Sequence, residues 1–273
     1  MVLPVLKWAG GKRGLLPKIK SCFPKDFRSR RYHEPFLGGG AVFFWLKPKR
    51  GSINDVNRRL MNFYMVLRDE PEALINEAKK YPYNEGAYYK LRDRFNQKEI
   101  DPIEEAALLL YFNKTAYNGL YRENSKGEFN VPFGSYNKPT IVHERRLLKA
   151  SKVLKGVEIL YEDFSHILNT AGEGDLCYLD PPYQPISETA NFTDYSKNGF
   201  DFNDQRRLRD VCVKLHEMGV VFVLSNSYSE SVRELYEEIK VFSVETVCAK
   251  RVISSNVSTR GIVKEILVTN SNK

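Results

Sequence analysis

Short apolar segments alternate with amphipathic ones along much of the chain, a pattern that predicts strands and helices in turn. Seven stretches are rich in β-branched and aromatic residues and end at polar or glycine-containing turns, as buried strands do. These predicted strands lie at 30–36, 51–55, 157–164, 176–180, 220–226, 241–247 and 262–269. Helices are expected between several of them.

Two of these helices have clear signals. The segment DQRRLRDVCVKLHEMG, residues 204–219, shows helical periodicity and ends at Gly219. Its apolar face is formed by Leu208, Val211, Cys212 and Leu215. LGGGAVFFWL, residues 37–46, is a glycine turn that leads into an apolar helix. Strands alternating with helices favour an α/β fold: a Rossmann-like, doubly wound and largely parallel sheet with helices on both faces.

Residues 57–145 interrupt this alternation with mostly helical sequence. The segment 56–68 carries apolar residues at helical spacing, namely Val56, Leu60, Phe63, Tyr64 and Leu67. Segment 101–112 opens with Asp101 as a predicted N-cap and Pro102 in the first turn, a strong helix start. The block ends in NGLYRENSKGEFNVPFGSY, where two extended segments flank the turn-rich NSKG, which predicts a β-hairpin.

We therefore predict a catalytic domain formed by 1–56 and 146–273, with an inserted, mostly helical domain at 57–145 that carries the hairpin. The insertion is rich in tyrosine, phenylalanine and basic residues. That combination suits base stacking and phosphate contact.

The charge distribution points to a polyanionic partner. The chain of 273 residues has a formal net charge of +8, from 42 basic and 34 acidic residues. Lys and Arg are concentrated in 1–31 and in 114–155. Two basic segments flanking a mixed-charge remainder favour nucleic acid as the partner, and solvated surface charge is the equal alternative on charge alone.

Targeting and metal signals are missing from the sequence. No run of about 18 apolar residues occurs, and the apolar stretch at the start is short for a signal peptide, so we expect a soluble, cytoplasmic protein with no membrane partner. Neither the histidines nor the cysteines have metal-ligand spacing. We expect reduced core thiols and no metal. The cysteines are Cys22, Cys177, Cys212 and Cys248.

Two motifs in order favour an adenosine-containing cofactor. EPFLGGG, residues 34–40, sets glycines where a strand turns into a helix, so the backbone can approach a ligand closely. Its spacing is not that of a dinucleotide fingerprint. Asp55 ends the next predicted strand, where nucleoside-binding α/β folds use a carboxylate for the ribose hydroxyls. A turn-and-cap role is the alternative for either motif alone.

The sequence DPPY at 180–183 suggests an amine-orienting site at the open end of a strand. The lone pair of a nucleobase amino group is delocalised into the ring, so the group is a poor nucleophile. Hydrogen-bond acceptors at Asp180 and at the Pro181 carbonyl, held by the rigid Pro181–Pro182 turn, could direct that lone pair at an electrophilic methyl group. Tyr183 would stack on the base.

Six motifs together resemble the Dam-type DNA adenine N6-methyltransferases, the alpha class or D12 family, over essentially the whole chain. They are KWAGGK at 7–12, EPFLGGGAVFF at 34–44, INDVN at 53–57, YNGLYRENSKGEFNVPFGSY at 117–136, DPPY at 180–183 and TANFTDYSKNGF at 189–200. The resemblance implies S-adenosylmethionine as cofactor, double-stranded DNA as partner and adenine in GATC as target.

The resemblance also implies roles for individual residues. The cofactor site is expected to include Trp8, Lys12, Glu34, Phe36, Gly38, Gly40, Asp55 and Asp180. Catalysis falls to Asp180, Pro181, Pro182 and Tyr183. DNA contacts are expected from Lys7, Tyr117, Asn118, Leu120, Arg122, Lys126 and Pro132, with Arg122 on a guanine and Lys7 on the first guanine of the site. Without the resemblance, Lys12 and Arg122 would be taken as surface charges and Trp8 as a core residue.

The prediction is therefore a monomeric, nucleoid-associated enzyme that methylates adenine N6 after flipping the base out of the duplex. A methyltransferase for RNA, cytosine N4 or a protein glutamine amide could share DPPY, but the hairpin and the motif order argue against it. A silent DNA-binding module would not need Trp8, Asp55 and Asp180. A nucleotide-dependent oxidoreductase would need the dinucleotide glycine spacing.

Overall fold

The fold is a seven-stranded mixed sheet with helices, seen in a computed structural model that describes residues 2–182, 200–250 and 262–271. The strand order is β3-β2-β1-β4-β5-β7-β6. The strands are β1 (Tyr32–Glu34), β2 (Gly51–Asn54), β3 (Glu158–Leu160), β4 (Leu176–Leu179), β5 (Val221–Ser227), β6 (Ser243–Lys250) and β7 (Ile262–Thr269). Each predicted strand is present, and the mixed α/β fold agrees with a Rossmann-like methyltransferase sheet.

The sheet is largely parallel, as predicted, with antiparallel pairing at one edge. β1 pairs in parallel with β2 and β4, and β4 pairs in parallel with β5. β7 is antiparallel to both β5 and β6. Hydrophobic periodicity marks a buried strand but does not encode its direction, so the sequence could not reveal this reversal.

Ten α-helices lie in the described part of the chain. They are α1 (Leu16–Cys22), α2 (Ala41–Leu46), α3 (Arg58–Asp69), α4 (Pro71–Ala78), α5 (Glu85–Phe95), α6 (Pro102–Thr115), α7 (Glu144–Leu154), α8 (Ile167–Thr170), α9 (Phe202–Glu217) and α10 (Glu230–Glu237). Short 3₁₀ turns occupy Tyr117–Gly119 and Phe164–His166.

Capping residues decide where the predicted helices begin. Asp101 caps α6 by accepting from the backbone of Ile103 and Glu104, as its sequence predicts. Asn57 caps α3 by accepting from Leu60 N at 2.9 Å. Val56 therefore lies outside α3 and is 66% exposed, so its place on the predicted apolar face is wrong.

The chain divides into two compact units. The first unit comprises Met1–Gly11, Gly38–Lys49 and Asn54–Tyr161, and the second comprises Lys12–Leu37, Arg50–Ile53 and Glu162–Lys273. The first thus contains the predicted insertion together with flanking segments. The insertion boundaries at 57 and 145 stay a prediction.

Each unit has its own core. In the second unit the predicted apolar face of α9 is buried against strand residues such as Cys177, Leu179, Phe222 and Leu224. In the first unit the core includes the central part of α6, from Ala106 to Phe112. Cys22, Cys177 and Cys212 are buried and Cys248 is exposed, and none of the four forms a disulfide bond.

Candidate active site and DNA interface

Asp180, the acid of DPPY, directly follows β4 and makes a buried ion pair. Lys12 Nζ lies 2.7 Å from Asp180 Oδ1, with Lys12 4% exposed and Asp180 18% exposed. Ser225 Oγ donates a hydrogen bond to the same Oδ1 at 3.1 Å. Lys12 is therefore a buried partner of the candidate catalytic acid, which excludes the alternative of a surface charge.

Two further groups lie near the Lys12–Asp180 pair. The carboxylate of Glu265 on β7 lies 3.9 Å from Lys12 Nζ and is almost fully buried. Tyr178 OH is 2.7 Å from Ser225 Oγ. Burial raises the pKa of Asp180, Lys12 opposes that shift, and the like charge of Glu265 adds to it. Sequence reasoning missed Ser225 and Glu265. The polar sequence SNS at 225–227, at the end of an apolar strand, could have indicated that Ser225 belongs to a functional site.

Other predicted residues of the second unit have structural partners. Glu34 is buried at the end of β1 and accepts from Tyr32 OH at 2.6 Å. Phe36 stacks on Phe164 and meets Phe200 edge-on. Pro181 is buried and Pro182 is exposed. Tyr183 and most of the motif at 189–200 lie outside the described residues.

The first unit holds Trp8, the glycine loop and Asp55 together. Gly38 has φ of +49° and Gly40 has φ of +66°, conformations that favour glycine. A Cβ on Gly38 would come within 2.9 Å of Trp8 Cδ1. Close approach of the indole to the backbone therefore requires glycine here.

Asp55 anchors this loop through backbone hydrogen bonds. Its Oδ2 accepts from Gly38 N at 2.9 Å and its Oδ1 accepts from Asn57 N at 3.0 Å. Burial raises the pKa of Asp55, and the two N–H donors counteract the shift. Each carboxylate oxygen has a second lone pair, so the contacts do not exclude a further donor.

Tyr121 is a residue of this region that the sequence did not single out. Its ring stacks on Trp8 with centroids 5.3 Å apart and 24° between the planes. The indole is thus enclosed by the glycine loop and by a residue of the predicted recognition hairpin. No local motif could have shown this pairing, since it depends on tertiary structure.

The segment that carries Lys7 is tied to α6. Asn113 accepts from Lys7 N at 2.9 Å and donates to Lys7 O at 2.7 Å. Lys114 Nζ donates to Val5 O at 2.6 Å, and Arg146 donates to Pro4 O. The backbone of residues 4–8 is thereby fixed against the first unit, with the side chain of Lys7 exposed.

The predicted hairpin forms, but with few backbone pairs. Antiparallel bridges join Ala116 to Phe133 and Glu123 to Phe129. A turn closes it, with Gly127 N donating to Asn124 O. The Asn96 side chain donates to Phe129 O and accepts from Phe129 N. Side-chain anchors thus replace part of a regular strand ladder.

The predicted DNA contacts lie on this hairpin and beside it. Arg122 and Lys126 are exposed, and Arg122 Nε donates to Asn130 Oδ1 at 2.7 Å. Pro132 is exposed and Leu120 is half-buried. Tyr117 is 52% exposed, and Asn118 has φ of +55°. A Cβ on Gly119 would lie 3.0 Å from Lys7 Cδ, so Lys7 and this turn are adjacent.

The structure thus groups the predicted residues within each unit: Lys12 with Asp180 in the second, and Trp8 with Gly38 and Asp55 in the first. Among the residues it describes, no set of three or more His, Cys, Asp or Glu is arranged to hold a metal ion. Nor does any described helix have the length and apolar character needed to cross a bilayer.

Comparison with known proteins identifies the family. The family model of D12 class N6 adenine-specific DNA methyltransferases matches residues 8–253. A Type II methyltransferase M1.LlaDCHI of Lactococcus lactis subsp. cremoris is 40% identical, covering 98% of this chain and 95% of its own. DNA adenine methylases of Vibrio cholerae and Escherichia coli K12 are 39% and 36% identical, over 96% of this chain and 94% and 93% of theirs. The protein belongs to the D12 class of N6 adenine-specific DNA methyltransferases.

Proposed function

We propose that this enzyme transfers a methyl group from S-adenosylmethionine to adenine N6 within GATC sites of double-stranded DNA. The observation that carries the proposal is the buried Lys12–Asp180 pair at the end of β4, in the sequence DPPY. Lys12 and Ser225 both contact Oδ1. We propose that Asp180 Oδ2 accepts a hydrogen bond from the adenine amine.

The cofactor assignment is supported by the fit of the first unit's residues to an adenosyl group. The glycine loop exposes backbone where a side chain would collide with Trp8. Asp55 places two acceptor oxygens beside this loop. We assign Trp8, Gly38, Gly40 and Asp55 in this unit to the cofactor, with Asp55 on the ribose. When bound, S-adenosylmethionine supplies a methyl group on a positively charged sulfur.

In the second unit we assign Lys12, Glu34, Phe36 and Asp180 to the same cofactor. Lys12 has a further role that follows from its position, because its ammonium opposes the rise in the pKa of Asp180 that burial causes. An ionised Asp180 accepts hydrogen bonds only, which is what an amine donor requires.

Asp180 would act by orienting the target amine. Its Oδ2 and the Pro181 carbonyl accept the two amine hydrogens and turn the nitrogen lone pair out of the ring plane. The nitrogen would then form a bond to the methyl carbon in an in-line displacement while the methyl–sulfur bond breaks, its electron pair remaining on the neutral thioether that leaves, and one amine proton would pass to solvent. Preorganised acceptors lower the barrier because they do not have to reorient during the reaction.

The base must leave the duplex for this geometry, since N6 is engaged in pairing inside the stack. DNA methyltransferases are among the enzymes that extrude their target base. We assign Tyr183 to stacking on the extruded adenine and Pro182 to the rigidity of the turn.

GATC recognition is assigned to the hairpin and to Lys7. Arg122 is exposed and carries the fork geometry that pairs with guanine O6 and N7. Leu120 and Pro132 are assigned to a thymine methyl group, and Lys7 is assigned to a guanine. Tyr117 and Asn118 are assigned to positions beside the base stack. Lys126 is assigned to a phosphate.

We further propose that residues 57–145 act as the target-recognition domain between catalytic segments 1–56 and 146–273. The protein is proposed to work as a monomer in the cytoplasm, on nucleoid DNA. Gel filtration with light scattering would test the monomer.

The proposed function is tested by incubating unmethylated plasmid DNA with the enzyme and S-adenosylmethionine and locating modified bases at single-base resolution. We expect N6-methyladenine at GATC on both strands. Methylation confined to another sequence would refute the GATC assignment, and methylation of RNA but not duplex DNA would refute the substrate class.

A further inference from the structure

The contacts around Asp180 form a one-way chain of hydrogen bonds. Tyr178 OH lies 2.7 Å from Ser225 Oγ, and Ser225 Oγ donates to Asp180 Oδ1 at 3.1 Å. A serine has one hydroxyl hydrogen, and an ionised carboxylate only accepts. Since the hydrogen of Ser225 goes to Asp180, Tyr178 must donate to Ser225.

Sheet register explains why these three residues meet. β4 and β5 are parallel, with Leu179 opposite Leu224, so Asp180 and Ser225 follow at the same level. Tyr178 precedes Asp180 by two residues and therefore shares its side of the chain. Tyr178 and Ser225 are both fully buried, where a hydrogen bond to a charged group is stronger than in water.

The ion pair with Lys12 does not by itself fix the plane of the carboxylate. An ammonium is a compact charge with rotatable donors, and the χ2 torsion of aspartate is broad. A second donor to the same oxygen from another direction restricts that torsion. With Oδ1 held by both Lys12 and Ser225, Oδ2 is left with one preferred direction.

We propose that Ser225, supported by Tyr178, is a positioning residue that holds Asp180 in the orientation needed for methyl transfer. The inference rests on the proposed function, in which Asp180 accepts from the adenine amine. It adds a hydroxyl relay from β4 and β5 to the DPPY motif. Sequence motifs alone do not identify this relay, because Ser225 lies far along the chain from Asp180.

The test is the single-turnover rate of methyl transfer by Ser225→Ala at saturating cofactor and DNA. We expect a rate about 10- to 100-fold below wild type, the loss for one hydrogen bond to a charged group. Affinities for S-adenosylhomocysteine and for GATC duplex should stay within about twofold, since Ser225 orients a group rather than binding a ligand. Ser225→Thr, which keeps the hydroxyl, should recover most of the rate.

Ser52→Ala is the matched control. Ser52 is buried on β2 and its hydroxyl is 2.8 Å from His33 Nδ1, so this variant also loses one buried hydroxyl with a side-chain partner. We expect its transfer rate to equal that of wild type. Equal rates for Ser225→Ala and Ser52→Ala would overturn the inference.

A second readout separates positioning from general damage. Loss of a donor to the ionised carboxylate raises the pKa of Asp180, so the acid limb of the rate profile should move to higher pH in Ser225→Ala and not in Ser52→Ala. Among the described residues, the other charged groups near Asp180 are Lys12 and Glu265, and both are unchanged in the two variants. An unshifted limb would contradict the proposal.

Tyr178→Phe keeps the test decisive if Ser225→Ala folds poorly. This variant leaves Ser225 in place and frees its hydroxyl to rotate, so we expect a smaller loss, about 3- to 10-fold. A wild-type rate would overturn the relay. If the wild-type enzyme methylates adenine while these variants match it, the inference alone fails; if the wild type transfers no methyl group to adenine, the proposed function fails first.

Discussion

Burial determines what individual charged side chains do in this protein. Lys12 follows a glycine pair, where sequence reasoning without the family resemblance expects solvent, yet it is buried against Asp180. Lys114 is largely buried and donates to Val5 O and to Asn113 Oδ1. Both lysines use their ammonium groups as internal hydrogen-bond donors, so replacing either lysine should affect stability or catalysis.

The pH dependence of stability should reveal Lys114. Desolvation lowers the pKa of Lys114 to about 8, with Arg146 and Lys7 adding repulsion. An unfolded lysine titrates near 10.4, so between about pH 8 and 10 the unfolded state binds more protons and the free energy of unfolding rises with pH. We expect wild type to gain about 2 kcal/mol relative to Lys114→Met over this range. Urea unfolding at several pH values measures the difference.

Lys152→Met, which removes an exposed lysine from α7, is the control for that series. Its difference from wild type should not vary with pH between 8 and 10. A flat difference for Lys114→Met as well would mean that Lys114 titrates as an ordinary exposed lysine.

Substitution of Asp55 tests whether this residue binds the cofactor or only stabilises a turn. We expect Asp55→Ala to weaken S-adenosylhomocysteine binding about 10- to 100-fold, because a buried carboxylate that bonds ribose hydroxyls contributes charge-assisted hydrogen bonds. Affinity for GATC duplex should change little. Calorimetric titration with the product cofactor measures the first effect and fluorescence anisotropy the second.

Asp101→Ala is the matched control, since Asp101 also accepts two backbone N–H groups in the first unit. It should lose stability and keep cofactor affinity. Equal affinities in Asp55→Ala and Asp101→Ala would reduce Asp55 to a turn residue.

At the scale of elements, local chemistry predicted all seven strands and four of the ten described helices, namely α2, α3, α6 and α9. Asp101 with Pro102 marked the start of α6, and Gly219 marked the end of α9. The hairpin turn at NSKG was also evident. The antiparallel direction of β7 and the small number of backbone pairs in the hairpin were not evident from the sequence. Both depend on partners distant in sequence, such as Asn96 for Phe129.

The hairpin should read sequence through Arg122. We expect Arg122→Ala to relax specificity, because the lost contact contributes about 1–3 kcal/mol of discrimination at one guanine. Methylation of sites altered at that guanine should therefore rise relative to methylation of GATC. Lys126→Ala, from the same hairpin, should weaken all sites alike and reduce the salt dependence of binding. Initial rates on a panel of single-base variants of GATC measure both.

A uniform loss across that panel for Arg122→Ala would mean that the arginine contacts backbone. The inferred route to GATC recognition through this hairpin would then lose its physical support. The contact of Arg122 with Asn130 adds a check, since Asn130→Ala should weaken discrimination less than Arg122→Ala does.

For the whole molecule, the sequence predicted the family, the sheet and the class of chemistry, but not the division into compact units. Residues 1–11 pack in the first unit because Asn113, Lys114 and Arg146 hold their backbone. Lys12 begins the second unit. Composition changes too little across this boundary to mark it, whereas the two basic segments, 1–31 and 114–155, suggested a polyanionic partner.

The central claim is that Asp180 orients the adenine amine and is not a major binding surface. The most direct measurement is the single-turnover methyl-transfer rate of Asp180→Ala, together with its affinities for S-adenosylhomocysteine and GATC duplex. We predict that transfer falls by at least about 1,000-fold with both affinities largely retained, because the lost acceptor acts mainly in the transition state. Turnover near the wild-type rate in a variant that binds both ligands would contradict the claim.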